Sequence, residues 1–288
     1  MNPILKMIQV IRIKPFHGLR ICCALAVAFL VVACGGERSD SSSSRVKKKK
    51  DYSVNVVLCD LTASSINDNI DSIASRAAQI IYALPQPGKI VFLPVEEDIF
   101  VDPLLSFEKV KVRPKKPSER DALEEAYQKG VEEKAELIKA AILAEYQRIE
   151  NELGERDPAR SCIVNYIERA NDFFLKETRD TTERKYTTRL FILSDMVEIC
   201  NYSGLNGSRI RFTPGNERAV QEAVDNYQPD FDLSYLDEVY ILAFTNTDFD
   251  RSKKLASVVI KNLWEDIFTK LNYRDAGLLS FEPMVPKF

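Results

Sequence analysis

The sequence predicts an α/β protein, in which a doubly wound, mainly parallel sheet is flanked by helices and one long helix is inserted. Short apolar, β-branched runs have the length of strands that are buried on both faces. Segments with apolar residues at spacings of three and four, typical of amphipathic helices, lie between these runs. Strands that alternate with helices favour a parallel sheet, because each strand is reached through a crossover. We expect this domain to span residues 51–288.

The first 33 residues are predicted to be an export signal. Four basic residues and no acidic one precede an apolar run from Ile21 to Cys34, which is shorter than the roughly 20 residues of a spanning helix. The end of the run, LVVAC, resembles the bacterial lipobox, in which the chain is cleaved before a cysteine that becomes lipidated. The resemblance implies a signal peptide at 1–33 and a lipid anchor on Cys34. An ordinary signal anchor that contains a cysteine is the alternative.

Residues 34–50 are predicted to be the lipidated cysteine and a flexible tether. The stretch GGERSDSSSSRVKKKK has too little apolar content to pack into a core. Removal of residues 1–33 changes the net charge from −3 to −7, because four basic residues leave with the signal. This acidic balance argues against nucleic-acid binding. We therefore expect a lipid-anchored protein of the bacterial cell envelope, at the outer membrane or facing the periplasm.

Histidine and cysteine usage restricts the chemistry. The single histidine, His17, lies in the signal, so the mature chain has no histidine to act as a general base. Cys59, Cys162 and Cys200 show no zinc-binding spacing. They leave two alternatives open, which are a disulfide between Cys162 and Cys200 or buried free thiols. The 10 glycines form no phosphate-binding loop.

The first half of the domain predicts strands separated by one helix. The continuous apolar run at 52–60 predicts a strand, and an amphipathic helix follows from Ile66 to Leu84. KIVFLPV, at 89–95, predicts the second strand. Prolines interrupt residues 99–117, where we expect a short edge strand.

A long helix is predicted as an insertion at about 118–153. Ser118 and Asp121 are expected to cap its start, and Gly154 to end it. Its expected buried side comprises Leu123, Tyr127, Val131, Leu137, Ile138, Ala141, Ile142, Ile149 and Leu153. The opposite side is rich in Glu and Lys, and this side is either a solvated face or a surface that binds a partner.

The second half of the domain continues the alternation. The pattern predicts a helix at 160–177, a strand at 186–195, a helix at 216–227, a strand at 237–244 and a closing helix at 250–273. The first strand of the domain ends on Asp60, and the strand at 186–195 ends on Asp195. Ligands bind at the carboxyl ends of parallel strands, so we expect these two carboxylates to lie close together.

Hydroxyl residues accompany both aspartates. The motif DLTAS occupies residues 60–64, and Ser161 opens the helix that leads into the strand of Asp195. This pattern resembles the von Willebrand factor A-type (vWA) domain, which carries Asp-x-Ser-x-Ser after its first strand, a threonine before a middle helix and an aspartate after a later strand. Thr62 stands at the first serine and Ser161 at the threonine. Met196 stands where a glycine commonly follows the late aspartate.

The resemblance implies a Rossmann-like vWA fold with a metal-ion-dependent adhesion site. Its ligands would be Asp60, Thr62, Ser64, Ser161 and Asp195, and its ion Mg²⁺ or another divalent cation. Oxygen donors suit such a hard cation. With few direct carboxylates the ion stays electrophilic, so an acidic residue of a protein partner could complete its shell. The local alternative is that the hydroxyl groups only bind nearby backbone groups.

Three functions follow from these observations. We predict a membrane-anchored lipoprotein that binds a protein partner through a cation and has no enzymatic activity. The first alternative is a metal-free scaffold that acts through the long helix. The second is an aspartate-based phosphatase of the haloacid-dehalogenase type. That family resembles this chain in its strand-end aspartate, but Thr62 stands where its second carboxylate serves as the general acid.

Overall fold

The computed structural model describes residues 49–62, 70–85, 87–96, 102–110, 113–153, 161–179, 183–200, 210–212, 215–243, 257–279, 285–286 and 288. The predicted lipidation residue Cys34, most of the tether and the predicted ligand Ser64 lie outside these residues. Within the described residues, no helix has both the length and the apolar composition that crossing a lipid bilayer requires.

A five-stranded, mostly parallel sheet forms the centre of the α/β fold. The described residues form seven strands, of which β5 and β6 make a separate ribbon: β1 (Lys50–Asp60), β2 (Gly88–Val95), β3 (Leu105–Lys109), β4 (Arg184–Ser194), β5 (Ile199–Cys200), β6 (Ile210–Arg211) and β7 (Glu238–Ala243). The order in the sheet is β3-β2-β1-β4-β7, and only β3 runs antiparallel to its neighbour. The predicted strands and the edge strand within 99–117 are confirmed. The small β5–β6 ribbon is an addition that no apolar run predicts.

Helices cover both faces of the sheet. They are α1 (Ile70–Ala83), α2 (Arg120–Leu153), α3 (Ile163–Glu177), α4 (Glu217–Asn226) and α5 (Ser257–Lys270). Side chains alternate across a strand, so β1 contributes to two separate cores. Val56 and Leu58 pack with α3, α4 and α5, whereas Val57 packs with α1 and α2.

The start of the long helix differs from the prediction. A 3-10 turn, Pro117–Glu119, precedes α2. The Oε2 atom of Glu119 accepts hydrogen bonds from the backbone N–H groups of Lys115 (3.1 Å) and Lys116 (3.3 Å). The predicted caps, Ser118 and Asp121, are therefore wrong, because the longer Glu119 side chain reaches back to the backbone before the turn.

The buried side of α2 is narrower than predicted. Its fully buried residues are Val131, Ala135, Ile138, Ile142 and Ile149. Leu137, predicted to be buried, is 50 % exposed. Successive residues of a helix point about 100° apart, so a helix that packs on one side buries Ile138 and leaves its neighbour Leu137 outside. Leu123 and Tyr127, which were also predicted to be buried, are only half-buried, and Val131 is the first buried residue of α2.

Gly88 lies at a close approach between β2 and β1, which gives a stability prediction. A Cβ atom at this position would lie 2.0 Å from Ser53 Oγ and 2.8 Å from the Ser53 carbonyl oxygen. We predict that Gly88→Ala lowers the free energy of unfolding by about 1–3 kcal/mol, because a paired strand has little room to shift. Urea denaturation measures the change.

Gly130 of α2 provides the control for that substitution. A Cβ atom there would meet nothing within 4 Å, so Gly130→Ala should raise the free energy of unfolding by about 0.5–1 kcal/mol through helix propensity. Equal effects of the two substitutions would contradict the close approach at Gly88.

Candidate metal centre at the carboxyl edge of the sheet

The carboxyl ends of β1 and β4 lie side by side and bring the predicted strand-end residues to one edge. Cys59 of β1 pairs with Leu193 of β4 in parallel register. The next residues along the two strands are Asp60 and Ser194, and Asp195 follows directly. Both predicted aspartates therefore lie at the same edge of the sheet, as expected.

The buried carboxylate of Asp60 is the centre of the site. Its Oδ1 atom accepts a hydrogen bond from Thr62 Oγ1 at 2.6 Å, and its Oδ2 atom accepts one from Ser194 Oγ at 2.6 Å. Ser161 Oγ lies 3.2 Å from Oδ1 and 3.3 Å from Oδ2. All four residues are at most 1 % exposed. Hydroxyl groups from three separate stretches of the chain thus converge on one carboxylate.

Local geometry alone does not produce this convergence. The exposed pair Asp232 and Ser234 has the same local arrangement, in which Asp232 Oδ1 accepts bonds from the Ser234 backbone N–H (2.8 Å) and Oγ (2.6 Å). An aspartate followed two residues later by a hydroxyl residue makes such a turn by itself. The contacts that distinguish Asp60 come from Ser161 and Ser194, which lie 101 and 134 residues away in the chain.

The spacing of three oxygen atoms can be compared with that of ligands around a small divalent cation. Thr62 Oγ1 and Ser161 Oγ lie 2.5 Å apart, and Asp60 Oδ1 lies 2.6 Å from the first and 3.2 Å from the second. Neighbouring ligands of an octahedral Mg²⁺ ion, with metal–oxygen distances near 2.0–2.1 Å, are about 2.9 Å apart. The three oxygen atoms therefore form a triangle close in size to one face of that octahedron.

Asp195 follows Ser194 directly in the chain, and its hydrogen bond to the Val197 backbone is local. It is 8 % exposed, and its Oδ1 atom accepts a hydrogen bond from the Val197 backbone N–H at 3.0 Å. The β4 residue that donates to Asp60 is Ser194, which the sequence analysis did not include. Its signal was a hydroxyl residue at the end of the run FILSD, but only the strand register shows that it lies next to Asp60.

The backbone after Asp195 turns sharply. Met196 is fully buried and has a φ angle of 60°, a left-handed conformation that glycine adopts without strain and other residues seldom do. Two hydrogen bonds hold this turn. The Met196 N–H donates to Ser194 Oγ (2.8 Å), and its carbonyl oxygen accepts from Trp264 Nε1 (2.8 Å). The turn thus begins two residues after Ser194, which donates to Asp60.

A buried carboxylate and a disulfide lie just beyond this turn. Glu198 is fully buried, and its Oε2 atom accepts a hydrogen bond from the Ile163 backbone N–H at 2.7 Å. Burial raises the pKa of Glu198 well above its usual range, although backbone N–H groups at the start of α3 oppose the shift. Cys162 and Cys200 form a disulfide, which decides between the two alternatives for these cysteines. Cys59 is a buried free thiol.

A second charged cluster joins β2 to the long helix at the same edge. Glu96 follows the last residue of β2, and both of its carboxylate oxygen atoms lie 2.9 Å from Arg148 Nη2. Arg148 also binds Glu145, at 2.8 Å, and Glu152. Burial raises the pKa of Glu96 to about 7; Arg148 opposes this shift and Glu145 adds to it.

Two comparisons complete the description of the site. Within the described residues, no three His, Cys, Asp or Glu side chains form a group that could hold a metal ion. The cluster around Asp60 consists mainly of hydroxyl groups and is a different kind of donor set.

Neither the protein-family models nor the curated proteins with which we compared the chain include a match.

The contact between Ser194 and Asp60 gives a stability prediction. Ser194→Ala removes the hydroxyl group that donates to Asp60 Oδ2 at 2.6 Å and accepts from the Met196 N–H. We predict that it lowers the free energy of unfolding by about 1–3 kcal/mol. Ser106→Ala, on the exposed part of β3, should change it by no more than about 0.5 kcal/mol. Similar urea denaturation midpoints for the two variants would argue against the buried contact.

The pKa of Glu96 predicts a pH dependence. In the folded protein this pKa is about 7 rather than 4.5, so the folded state binds more protons than the unfolded state between these values. The contribution of Glu96 is fully present below pH 4.5 and is lost as the pH rises through about 7. We therefore predict that wild type loses stability relative to Glu96→Gln from pH 4.5 to 8, as measured by urea denaturation. A difference that is independent of pH would contradict the shifted pKa.

Proposed function

We propose that this protein is a lipid-anchored binding module whose vWA-like domain holds Mg²⁺ or another divalent cation and mediates protein–protein interaction. One observation supports the proposal above all others, and that is the convergence of the side-chain oxygen atoms of Asp60, Thr62 and Ser161. The vWA resemblance assigns all three residues as ligands, and they lie within hydrogen-bonding distance of one another.

The backbone at Met196 also supports the vWA-like assignment. The family commonly has a glycine after its late aspartate, and glycine is the residue that adopts positive φ without cost. Met196 occupies this place and has a φ angle of 60°. A methionine in this conformation costs about 1–3 kcal/mol, which surrounding contacts must offset.

The proposed ligand set consists of Asp60, Thr62, Ser161 and Asp195, together with Ser64 outside the described residues. A bound divalent cation would supply an electrophilic centre for an anionic group. Because the motif contributes mostly neutral hydroxyl groups, much of the positive charge would remain available. An acidic residue of a protein partner has the matching charge and oxygen donors. The chain's own part is to hold these hydroxyl groups at one point above the sheet.

The location that we propose is the bacterial cell envelope, with Cys34 as the lipidated residue. The disulfide between Cys162 and Cys200 supports an exported protein, because disulfides persist in oxidising compartments such as the bacterial periplasm. The lipobox-like sequence before Cys34 and the polar tether after it supply the membrane attachment.

We propose a binding function rather than catalysis. An aspartate-based phosphatase needs a second carboxylate two residues after the nucleophile to protonate the leaving group. Thr62 occupies this position, and its hydroxyl group binds Asp60. The scaffold alternative would place the working surface on the exposed side of α2 instead.

Calorimetric titration with MnCl₂ and MgCl₂ tests the proposal. We expect wild type to bind one ion, and we expect Asp60→Asn and Ser161→Ala each to weaken binding by at least about tenfold, since each removes a proposed oxygen donor. Asp232→Asn is the matched control, because Asp232 has the same local hydrogen bonds as Asp60 but lies outside the cluster. It should leave the affinity unchanged. Absence of heat with wild type at millimolar metal would refute cation binding and favour the metal-free scaffold.

A further inference from the structure

Ser161 contacts Asp60, and the two residues that follow Ser161 are bonded to another part of the chain. It lies directly before Cys162 and two residues before Ile163, the first residue of α3. Cys162 is bonded to Cys200, and the Ile163 N–H donates to Glu198. Two successive residues after Ser161 are thus tied to the short stretch 198–200, which follows β4.

The contact from Glu198 replaces the usual cap of a helix. Helices commonly begin with a residue whose own side chain binds the free N–H groups of the first turn. The residue before α3 is Cys162, and it makes no such hydrogen bond. The carboxylate of Glu198, 35 residues further along the chain, takes this role at 2.7 Å. A remote cap connects two segments, whereas a cap from within the helix holds only its own backbone.

The burial of Glu198 is energetically unfavourable. Capping α3 alone therefore does not explain why a glutamate lies at this position. The residue is fully buried, and its Oε1 atom has no hydrogen-bond partner among the described residues. Burying a carboxyl group with an unsatisfied oxygen is unfavourable, and a serine or aspartate at the helix start would cap α3 without this cost. The arrangement does, however, fix the start of α3 relative to β4.

We propose that Glu198 is a positioning residue of the cation site, which acts by holding the start of α3 so that Ser161 Oγ stays in place beside Asp60 and Thr62. The inference rests on the proposed cation binding. The disulfide holds the same segment through Cys162 and acts in the same direction. Ser161 then enters the site already oriented, and the cation does not have to order it. Ligands held by supporting contacts of this kind bind metal ions about 10–100-fold more tightly.

Titration with MnCl₂ of the full-length chain tests this role. We expect Glu198→Ala to weaken Mn²⁺ binding by about 10–100-fold. Glu198→Gln should have a smaller effect, because its amide oxygen can still accept the bond from the Ile163 N–H. If Glu198→Ala does not fold, the Mn²⁺ affinity of Glu198→Gln is the measurement that tests the role of Glu198. Asp237→Asn is the control, since Asp237 accepts a backbone N–H bond from Thr188 at 2.8 Å near the amino end of β7. Its affinity should equal that of wild type.

A double-mutant cycle with Ser161 separates positioning from other effects. If Glu198 acts through Ser161, then Glu198→Gln should cause no further loss of Mn²⁺ affinity in a Ser161→Ala background. An equal loss in both backgrounds would overturn the proposal, because Glu198 would then act by its charge or by general stability. Wild-type affinity in a folded Glu198→Ala variant would overturn it as well.

Amide hydrogen exchange distinguishes failure of this inference from failure of cation binding. If wild type binds no Mn²⁺, the proposed function fails, and the structural claim is decided by exchange at residues 161–164. Faster exchange confined to this segment in Glu198→Gln, with no change in Asp237→Asn, supports the role of Glu198 in holding Ser161. Exchange that equals that of wild type overturns it.

Discussion

The burial of one carboxylate, that of Asp60, is the constraint on which the rest of the site depends. A charged group without solvent is very unfavourable unless donors surround it. Thr62, Ser161 and Ser194 provide these donors, and each comes from a different part of the chain. The carboxylate therefore joins the end of β1, the start of α3 and the end of β4. A fold that loses any of these contacts leaves Asp60 poorly compensated.

Two locally unfavourable features lie within a few residues of Ser194, which donates to this carboxylate. Met196 has a positive φ angle, and Glu198 has a buried oxygen without a partner among the described residues. Natural proteins concentrate such departures from local preference where function requires a particular geometry. Both residues follow β4 directly, and the Cys162–Cys200 disulfide crosses the same region. Two further buried polar atoms without a partner among the described residues, Asn55 Oδ1 and Arg189 Nη1, belong to β1 and β4 themselves.

Sequence patterns predicted the α/β class and the main strands and helices because each strand and helix has a period of its own. The β-branched runs at β1 and β4 and the apolar spacing of α3 mark their elements without reference to the rest of the chain. Burial was predicted wrongly where two adjacent apolar residues of a helix could each have faced the core. Leu137 and Ile138 are adjacent apolar residues of α2, and sequence alone did not decide which of them the helix buries. The cap by Glu119 depends on the length of a side chain, which a search for short polar caps does not include.

The site was only partly predictable for a related reason. Asp60 and Thr62 belong to one short motif, and the order of elements was enough to select Ser161. Ser194 and Glu198 contribute through strand register and through the approach of distant segments, and neither leaves a periodic signal in the sequence. Ser64, predicted from the same motif, lies outside the described residues.

Crystals of the protein soaked with MnCl₂ test the central claim most directly, because the anomalous signal of manganese locates the ion independently of any assumed ligand. The account predicts one strong anomalous peak at coordination distance from oxygen atoms of Asp60, Thr62 and Ser161. A peak elsewhere, or no peak above background with these side chains still bonded to one another, would contradict it.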